Sequence, residues 1–496
     1  MNKIPLSKSK YCQCVQCEKI FWLSKYKSEE ATGADKTVLF ENGHKVGELA
    51  KGLFGPYEDI PFDITLTPMI EKTNELIKNK PNIITEASFS FNNNFCSVDI
   101  LKNDMDGVEI YEVKSSAGVK PIYLDDVSFQ YYVLSNLGLN VKKVAIVHVN
   151  TKYEREGELD LSQLFTIKDI THIAKEKQDE IRSNINRINE FMEAHGEDNE
   201  PIKEIGIHCF EPYHCDFWDY CTKDLPKPNV FDVKGMQTPD KFKKYNEGKI
   251  SFEDLKDEDI SPKFLEQIDF ELNDREPKIE KEAIKQFLDS LKYPLYFIDY
   301  ESCQHAIPEI EGTRAYQQLP FQYSLHIIKE EGAQAEHREF LAETDDEDFI
   351  RHFAQSMIKD MPKDGSVIVY NRTMESGCNS GIGRLYPDLR DDMERFNRNM
   401  VDLMVPFRNR SYYAKEMKGS HSLKFVLPAL YPNDPELDYH NLNVIHHGGE
   451  AAEAFLKLKD KSKEEQEQIR EGLLRYCELD SLAMVKIWEK FREVTE

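Results

Sequence analysis

The spacing of the cysteines places the strongest constraint on how this chain can fold. Three cysteines recur at even six-residue steps in an aromatic-rich segment: Cys209, Cys215 and Cys221. Three thiolates at such steps need a fourth ligand from a distant part of the chain. Near the N terminus, Cys17 is our first choice for that ligand and Cys14 is the alternative. Residues 1–222 are therefore predicted to close on themselves as one domain.

The predicted group at these cysteines is a 4Fe-4S cluster. The chain has 10 cysteines in 496 residues, which does not favour a disulfide framework in a chain of this length. Zinc ligands usually occur as close Cys-x-x-Cys pairs, so the even six-residue steps favour the cluster, with a structural zinc site as the alternative. Either group would stabilise the domain by constraining the unfolded chain.

The segment between residues 95 and 116 predicts a β-hairpin that carries charged side chains. Two runs of strand-forming residues flank 103–107, in which Gly107 suits a turn position with positive φ. Asp99 and Glu112 then lie on neighbouring strands, and Lys114 points to the same face as Glu112. Two carboxylates and a lysine in this arrangement predict a site that holds a divalent cation and cleaves a phosphodiester.

The alternative for these three residues is a set of solvated side chains on the outer face of an antiparallel pair. The Glu-x-Lys triplet is not specific, since it recurs at Glu276 and at Glu416 outside any hairpin pattern. The support for a site therefore comes from the rest of the chain.

The remaining pattern of residues 1–222 predicts an α/β domain around the hairpin. Helices are expected over 36–53, 67–78, 124–137 and 170–195, and strands over 83–91 and 143–149. The lysines near the N terminus, including Lys8, are expected to be solvated or to face a phosphate backbone.

A charged, proline-punctuated stretch over residues 223–289 predicts a helical connector. An apolar run then ends in Asp299-Tyr300-Glu301, as buried strands often do at a site. Further strands are expected over 322–329, 337–341 and 366–371, and helices over 346–361 and 463–491. Alternating strands and helices predict a sheet flanked by helices over residues 290–496.

Acidic residues of this second half are predicted to form one metal site. Glu375 follows the last of these strands, and Tyr476 and Asp480 lie four residues apart on one face of the last helix. Carboxylates gathered at one point repel one another, which cations between them relieve. The predicted ligands of two divalent ions are Asp299, Glu301, Glu375 and Asp480. The Tyr476 hydroxyl is expected to position the attacking water.

The alternative for these acidic residues is a strand-end turn and a half-buried helix face. Arginines, lysines and tyrosines between residues 408 and 424 are candidates to guide a strand of nucleic acid toward the site. They are Arg408, Arg410, Tyr412, Tyr413, Lys415, Lys418 and Lys424.

The charge of the chain limits its partners. A formal net charge of −26 argues against nonspecific coating of nucleic acid, so a nucleic-acid partner needs local basic surface or bound metal ions. The sequence has no apolar run near the roughly eighteen residues of a membrane span, and its first residues lack a signal-peptide core. We therefore expect a cytoplasmic protein with no membrane partner.

Residues 1–222 resemble the RecB-type PD-(D/E)xK nucleases that carry an iron-sulfur cluster. The resemblance rests on the separated cysteines, on Asp99 with Glu112-Val113-Lys114, and on the helix that contains Gln130. It implies a restriction-endonuclease-like fold, cleavage of DNA with Mg²⁺ or Mn²⁺, and a 4Fe-4S cluster held by Cys17, Cys209, Cys215 and Cys221. Its first motif falls on Glu48 or, alternatively, on His44.

Residues 290–496 resemble the DEDDy branch of RNase H-fold 3′-5′ exonucleases. Asp299-x-Glu301 corresponds to the first motif and Tyr476-x-x-x-Asp480 to the third. The second motif falls on Glu375 after Asn371, with Asp402 as the alternative.

Nearly the whole chain, including residues 314–322 and 421–424, is similar to a bacterial family of uncharacterised proteins that joins these two modules. We therefore predict an enzyme, a nuclease with two modules that hydrolyses DNA, with single-stranded ends as the expected substrate and RNA as a further possibility. The rival is a nucleic-acid-binding scaffold in which one or both sites have lost activity.

Overall fold

The computed structural model describes residues 6–33, 37–63, 65–79, 81–442 and 444–496. With 50% helix and 18% strand, it confirms the mixed α/β class predicted from the sequence. The chain forms two compact units. The first unit comprises Met1–Leu225 and His305–Tyr316, and the second unit comprises Pro226–Gln304 and Gln317–Glu496.

The first unit is built on a seven-stranded sheet. Its strands are β1 (Leu6–Ser7), β2 (Glu58–Asp59), β3 (Ile83–Phe91), β4 (Asn94–Asp104), β5 (Gly107–Lys114), β6 (Val141–Val149) and β7 (Phe165–Asp169). The sheet order is β2-β3-β4-β5-β6-β7, and β1 pairs with β4. The pairs β3/β4, β4/β5 and β6/β7 are antiparallel, whereas β2/β3, β5/β6 and β1/β4 are parallel.

The predicted hairpin is formed by β4 and β5. Asp104 pairs with Gly107, so the turn is tighter than the sequence suggested and consists of Met105 and Asp106. Gly107 has φ +145°, and a Cβ at this position would collide with the Asn140 carbonyl oxygen. Both the conformation and the close approach therefore require glycine.

The edge of β4 that does not pair with β3 has two different partners along its length. Its first residues, Asn94 and Phe95, pair with β1, whereas Ile100 is the first residue that pairs with β5. Asp99 lies between the two ladders, where β5 separates from β4. At this separation, β1 and the following Lys8 lie beside the end of β5.

Nine helices of the first unit lie in its described residues. They are α1 (Lys8–Gln16), α2 (Glu18–Tyr26), α3 (Thr37–Ala50), α4 (Thr67–Asn79), α5 (Pro121–Asn136), α6 (Leu161–Leu164), α7 (Thr171–Glu176), α8 (Gln178–Ala194) and α9 (Trp218–Thr222). The helix expected over 170–195 is divided at Lys177, which ends α7 and precedes α8. Lys36, the predicted start of α3, lies outside the described residues.

The second unit contains a five-stranded sheet and a small separate strand pair. Its strands are β8 (Lys278–Ile279), β9 (Leu295–Cys303), β10 (Leu319–Ile328), β11 (Glu336–Leu341), β12 (Ser366–Val369), β13 (Met400–Asp402) and β14 (Tyr412–Tyr413). The main sheet has the order β11-β10-β9-β12-β13, and β8 pairs with β14. Strands β9, β10 and β11 are antiparallel neighbours, whereas β12 runs parallel to both β9 and β13.

The helices of the second unit include those of residues 226–289, the stretch predicted as a connector, which belong to the same compact unit as the sheet. They are α10 (Thr238–Asn246), α11 (Phe252–Leu255), α12 (Pro262–Asn273), α13 (Lys281–Asp289), α14 (Phe349–Asp360), α15 (Thr373–Leu385), α16 (Arg390–Asn399), α17 (Val405–Arg408), α18 (Leu423–Leu430), α19 (Gly448–Lys457) and α20 (Lys463–Thr495). Helix α20 packs Trp488 against Phe297 of β9, with ring centroids 6.0 Å apart. This packing sets α20 beside the strand that carries Asp299 and Glu301.

The segment His305–Tyr316 leaves β9 and belongs to the first unit. There Ala306 and Ala315 join a hydrophobic cluster with Tyr153, and Arg314 Nη2 lies 2.8 Å from Glu154 Oε2. Nothing in the sequence pattern signals this crossing. Among the described residues, none of the helices combines the length and the apolar composition that a membrane span requires.

Candidate active sites

Three carboxylates of the second unit meet at the middle of its sheet. Asp299 and Glu301 are two residues apart on β9, so their side chains share one face of the strand, and Asp480 faces them from α20. One oxygen from each of the three lies within 4.8 Å of the others. We call Asp299, Glu301 and Asp480 the Asp299 cluster.

Burial and mutual repulsion dominate the electrostatics of the Asp299 cluster. Burial, followed by the charge of Asp480, raises the pKa of Asp299 and of Glu301 well above their ordinary values. Burial also raises the pKa of Asp480 to about 6, although hydrogen bonds from tyrosines oppose the shift. No lysine or arginine among the described residues forms an ion pair with these carboxylates.

Two tyrosines contact Asp480. The Tyr439 hydroxyl donates a hydrogen bond to Asp480 Oδ1, and Tyr476 also bonds to this carboxyl from one turn earlier on α20. Their ring centroids lie 6.3 Å apart. Burial raises the pKa of both tyrosines, so each hydroxyl keeps its proton and remains a donor. Tyr476 was predicted from the sequence, whereas Tyr439, the first residue of a short 3-10 helix without a recognisable motif, was not.

Glu375 approaches the Asp299 cluster from the first turn of α15. It is 2% exposed, its Oε2 is buried without a hydrogen-bond partner, and burial raises its pKa to about 8. Its charge also contributes to the raised pKa of Asp299 and of Glu301. Its oxygens do not join the group that lies within 4.8 Å. A buried carboxylate oxygen without a donor is a group that a cation would stabilise.

Asp402, the alternative to Glu375, has a different environment. Its Oδ1 accepts hydrogen bonds from the backbone N–H groups of Asn371 and Met404, each at 3.0 Å. Its Oδ2 lies 3.7 Å from Arg408 Nη1. Asp402 therefore holds the ends of β12 and β13 together.

Several residues expected to guide a nucleic-acid strand are instead structural. Tyr412 and Tyr413 are 5% and 1% exposed and belong to the core. The Arg410 guanidinium lies over the Tyr413 ring at 3.8 Å and is itself 7% exposed. For these three residues the expectation is wrong, because the short pairing of β14 with β8 buries the tyrosines.

In the first unit, Glu112 lies at the centre of a dense ionic network. Its Oε1 accepts hydrogen bonds from Lys8 at 2.8 Å and Lys114 at 2.7 Å, and its Oε2 accepts from Lys8 at 2.9 Å and Gln130 at 2.7 Å. Asp126 on α5 accepts from the same Lys114, at 2.7 Å, and from Gln130, at 3.0 Å. We call this set the Glu112 cluster: Lys8, Asp99, Glu112, Lys114, Asp126 and Gln130.

Asp99 borders this network at the point where β4 and β5 separate. Its Oδ2 accepts a hydrogen bond from the Val113 N–H at 2.7 Å, and its Oδ1 lies 3.7 Å from the Lys8 ammonium. The structure thus brings Asp99, Glu112 and Lys114 together as the sequence analysis expected. It adds Lys8, which was expected at the surface, and Asp126, which was missed.

The two lysines change the electrostatics of the Glu112 cluster. Burial, with the charges of Asp126 and Asp99, raises the pKa of Glu112 to about 7. Burial acts against the charged forms of Lys8 and Lys114, but the neighbouring carboxylates outweigh it and raise the pKa of both lysines. The same lysines outweigh the burial of Asp126 and lower its pKa. The network therefore contains three carboxylates and two ammonium groups.

Glu48, proposed from the first motif, forms an ion pair outside the Glu112 cluster. Its Oε1 is 2.7 Å from Lys51 Nζ, which also pairs with Asp59 at 2.9 Å. The alternative, His44, is exposed on α3. In the described part of the chain, neither residue forms a hydrogen bond or an ion pair with the Glu112 cluster. The prediction followed the spacing of the motif, whereas Lys51 provides a nearer partner for Glu48 on the same helical face.

Glu86 is an acidic residue near the Glu112 cluster that the sequence analysis missed. On β3, Thr85 pairs with Ile100 and Ala87 with Val98, which sets Glu86 opposite Asp99. It has φ +56°, a left-handed conformation that is strained for glutamate. Burial raises its pKa. A lone charge inside the apolar run 83–89 was the signal available in the sequence.

The four cysteines chosen from the sequence line one pocket of the first unit. Cys17, Cys209, Cys215 and Cys221 line this pocket together with Ile20 and Leu23 of α2. Cys14 instead lies in the hydrophobic core. Burial raises the pKa of the Cys209 thiol to about 11 and that of Cys215 to about 12.

Direct contacts hold the N-terminal helices against the cysteine-rich segment. Gln16 Nε2 donates to the carbonyls of His208 at 2.8 Å and Tyr213 at 2.7 Å. Trp22 Nε1 donates to the Gly196 carbonyl at 3.0 Å. The ends of the first unit therefore meet beside this pocket.

A family model described as a domain of unknown function, DUF2779, matches residues 296–422. This range contains Asp299, Glu301 and Glu375 and ends before Tyr476 and Asp480. No curated protein and no solved structure matches the chain.

Proposed function

We propose that the chain is a nuclease that uses Mg²⁺ or Mn²⁺ to hydrolyse phosphodiester bonds, with the Asp299 cluster as its principal site. The observation that carries the proposal is the convergence of three buried carboxylates within 4.8 Å, with no described lysine or arginine paired to them. Such an arrangement is costly unless cations occupy it. The unpartnered Oε2 of Glu375 adds a fourth oxygen in need of a positive charge.

The residues of this site have separable roles. Bound divalent ions would activate the attacking water and stabilise the leaving oxygen. Asp299, Glu301, Asp480 and Glu375 supply the hard oxygen ligands that such ions prefer. Tyr476 keeps its proton and would orient the water through its hydroxyl. Tyr439 fixes the carboxyl of Asp480 through a hydrogen bond to Oδ1.

The topology of the second unit supports this assignment. Three antiparallel strands followed by two parallel ones, with acidic residues on the central strand and on a C-terminal helix, are typical of RNase H-like folds. The DEDDy exonucleases use a tyrosine and carboxylates at corresponding positions of the fold. We therefore assign the second unit to an RNase H-like exonuclease domain that acts on strand ends.

We assign the first unit to a RecB-type PD-(D/E)xK module. The support is that Glu112 and Lys114, at the end of β5, lie beside Asp99, where β4 separates from β5, with Gln130 of the following helix donating to Glu112 at 2.7 Å. In this assignment the two carboxylates hold a divalent ion and the lysine stabilises charge on the phosphate. In this assignment Glu86, rather than Glu48, is the first-motif residue.

The cysteine pocket suits a 4Fe-4S cluster better than zinc. Tetrahedral zinc with Zn–S bonds of about 2.3 Å would set its sulfurs about 3.8 Å apart. In the described part of the chain, however, the cysteine sulfurs do not form a group of three or more within 4.8 Å of one another. A cubane spaces its four thiolates more widely. Absorbance near 400 nm and the iron content of anaerobically purified protein would test the assignment, with Cys209→Ser as the variant and Cys14→Ser as the control.

The substrate in this proposal is nucleic acid, with single-stranded DNA ends preferred. Purified full-length protein should degrade end-labelled strands with Mn²⁺ and stop when the ion is chelated. Asp299→Ala and Glu112→Ala should each reduce degradation, while Glu339→Gln, at an exposed carboxylate of β11, should not. If both alanine variants degrade strands as fast as the parent, the proposal is wrong. Matched DNA and RNA strands with a label at either end would define substrate and polarity.

A second candidate applies to the first unit alone. Lys8 occupies Glu112 as a cation would, which favours a module that binds nucleic acid without cutting it. In that case Asp299→Ala would abolish all cleavage and Glu112→Ala would change binding only.

A further inference from the structure

The hydrogen bonds to Glu112 leave no room for a metal ion. A carboxylate offers about four lone-pair positions on its two oxygens. In Glu112 they are occupied by two hydrogen bonds from Lys8, one from Lys114 and one from Gln130. The side chain of Glu112 is only 2% exposed, so solvent offers no further approach. A metal ion can bind this carboxylate only if one of these donors leaves.

Lys8 is the donor that can leave. Lys114 and Gln130 are each held by a second carboxylate, Asp126, at 2.7 Å and 3.0 Å. Lys8 has no hydrogen bond to a second carboxylate: Asp126 and Asp99 attract its charge, but its only other described ion pair is with Asp99 Oδ1 at 3.7 Å, beyond hydrogen-bond distance. Its departure would free two lone-pair positions on Glu112 and uncover Asp99 Oδ1, and these oxygens are the ones that a metal ion between Asp99 and Glu112 requires.

The backbone keeps Lys8 next to this position. Lys8 is the first residue of α1, whose N-cap Ser7 pairs with Phe95 of β4 and accepts a hydrogen bond from the Lys10 N–H at 3.3 Å. The Cα of Lys8 is therefore fixed by the sheet, while its four-carbon side chain can rotate outward. The Lys8 side chain is 20% exposed, so a path to solvent exists.

We propose that Lys8 is a resident cation of the first unit, which holds Glu112 and Asp99 until a divalent metal ion displaces its ammonium group. The inference rests on the proposed function of Asp99 and Glu112 as metal ligands. It makes Lys8 a positioning residue that keeps the carboxylates in place without metal and sets the metal concentration at which the unit becomes competent. The exchange is reversible and transfers no proton.

Metal binding tests the exchange directly. Mn²⁺ binding to the full-length chain would be measured by calorimetry in an Asp299→Asn, Asp480→Asn background, so that only the first unit responds. Replacing Lys8 with methionine removes the competing charge, and we expect the Kd for Mn²⁺ to fall about tenfold or more. Lys10→Met, on the exposed side of the same helix, should leave the Kd unchanged.

A second measurement needs no substitution at Lys8. An amine-reactive label followed by mass spectrometry would report the accessibility of Lys8 in the parent protein with and without Mn²⁺. Displacement predicts that labelling of Lys8 increases about tenfold when the ion is added, because the ammonium then leaves a site in which the Lys8 side chain is 20% exposed. Labelling of Lys10 should not change.

The outcomes distinguish the exchange at Lys8 from the metal site at Asp99 and Glu112. Tighter Mn²⁺ binding by Lys8→Met together with increased labelling supports the exchange. An unchanged or weaker affinity in Lys8→Met, with Lys8 equally labelled at saturating Mn²⁺, overturns the exchange but leaves the metal site in place. Absence of Mn²⁺ binding in every variant overturns the exchange and also the proposed function of the first unit.

Discussion

The two acidic clusters of this chain hold their carboxylates together in opposite ways. The Glu112 cluster pairs three carboxylates with Lys8 and Lys114, and each charge has a partner within hydrogen-bond distance or close to it. The Asp299 cluster packs three carboxylates and the nearby Glu375 with tyrosine hydroxyls and the Cys477 thiol, whose Sγ lies 3.7 Å from Asp299 Oδ2, and no described lysine or arginine forms an ion pair with them.

The two clusters differ in the source of the positive charge that compensates their carboxylates. Buried carboxylates need compensation, which the chain can supply itself or leave to ions from solution. The Glu112 cluster is compensated from within and can persist without metal. In the Asp299 cluster, burial and mutual repulsion disfavour the charged carboxylates, as their raised pKa values indicate. We therefore expect this cluster to depend on external cations. Removing a charge should therefore have opposite effects on stability in the two units.

The largest effect is expected from Lys114→Met in the first unit. Loss of this ammonium leaves Glu112 and Asp126 buried with one cation fewer, and breaking such a buried pair costs about 3–5 kcal/mol of unfolding free energy. Denaturant unfolding at neutral pH without metal would measure it. Lys142→Met, which removes an exposed pair with Asp104 on the same sheet, is the control and should change little. An equally small loss for Lys114→Met would contradict internal compensation.

The next effect concerns catalysis by the second unit. In a chain whose first unit is silenced by Glu112→Gln, we expect Asp299→Asn to slow strand degradation about 10²–10³-fold, since the lost ligand stabilises developing charge. The rate should be measured with saturating Mn²⁺. The same variant should not be destabilised without metal, because it removes repulsion. A destabilised, fully active Asp299→Asn chain would remove the contrast between the units.

Glu375→Gln tests the uncompensated charge of the second unit, because its effect on the unfolding free energy should depend on pH. Burial raises the pKa of Glu375 to about 8, so its favourable contribution is complete below about 4.5, the ordinary value, and is lost as pH rises through 8. Without metal, the variant should match the parent at pH 4 and exceed its unfolding free energy by about 2–4 kcal/mol at pH 9. Saturating Mn²⁺ should favour the parent instead. If the unfolding free energies of the parent and of Glu375→Gln change with pH in the same way, the raised pKa of Glu375 is refuted.

The smallest effect is expected from Tyr439→Phe. Removing a hydroxyl that donates to buried Asp480 should cost about 1–2 kcal/mol and weaken Mn²⁺ binding modestly, because the carboxyl loses its fixed orientation. Thermal unfolding and calorimetry would measure the two changes. Tyr431→Phe, whose hydroxyl donates to the Lys486 carbonyl at 2.9 Å, is a matched control away from the cluster. Equal effects on Mn²⁺ binding in both variants would remove the role given to Tyr439.

Much of the fold followed from local pattern. The strand over residues 83–91 and the hairpin were predicted closely, because apolar runs and turn residues specify them. Asp299, Glu301 and Asp480 could be predicted because motif spacing puts them on one strand face and one helix face. The break at Lys177 and the crossing of His305–Tyr316 could not, since tertiary packing decides both.

The compensating groups were also beyond the sequence. Lys8 resembles any solvated lysine at a helix start, and only the pairing of Ser7 with β4 brings it to Glu112. Glu86 is set opposite Asp99 by the β3/β4 register, and Tyr439 reaches Asp480 from a short 3-10 helix 41 residues earlier in the chain. A sequence pattern can name the carboxylates of a site, whereas their neutralising partners come from distant segments that only the fold brings together.

The most direct test of this account is the number and affinity of Mn²⁺ ions bound by the full-length chain, measured by calorimetry for the parent, Asp480→Asn and Glu112→Gln. Dependence of the Asp299 cluster on external cations predicts that the tightest binding is lost in Asp480→Asn and kept in Glu112→Gln. Tight Mn²⁺ binding that survives in Asp480→Asn would contradict it.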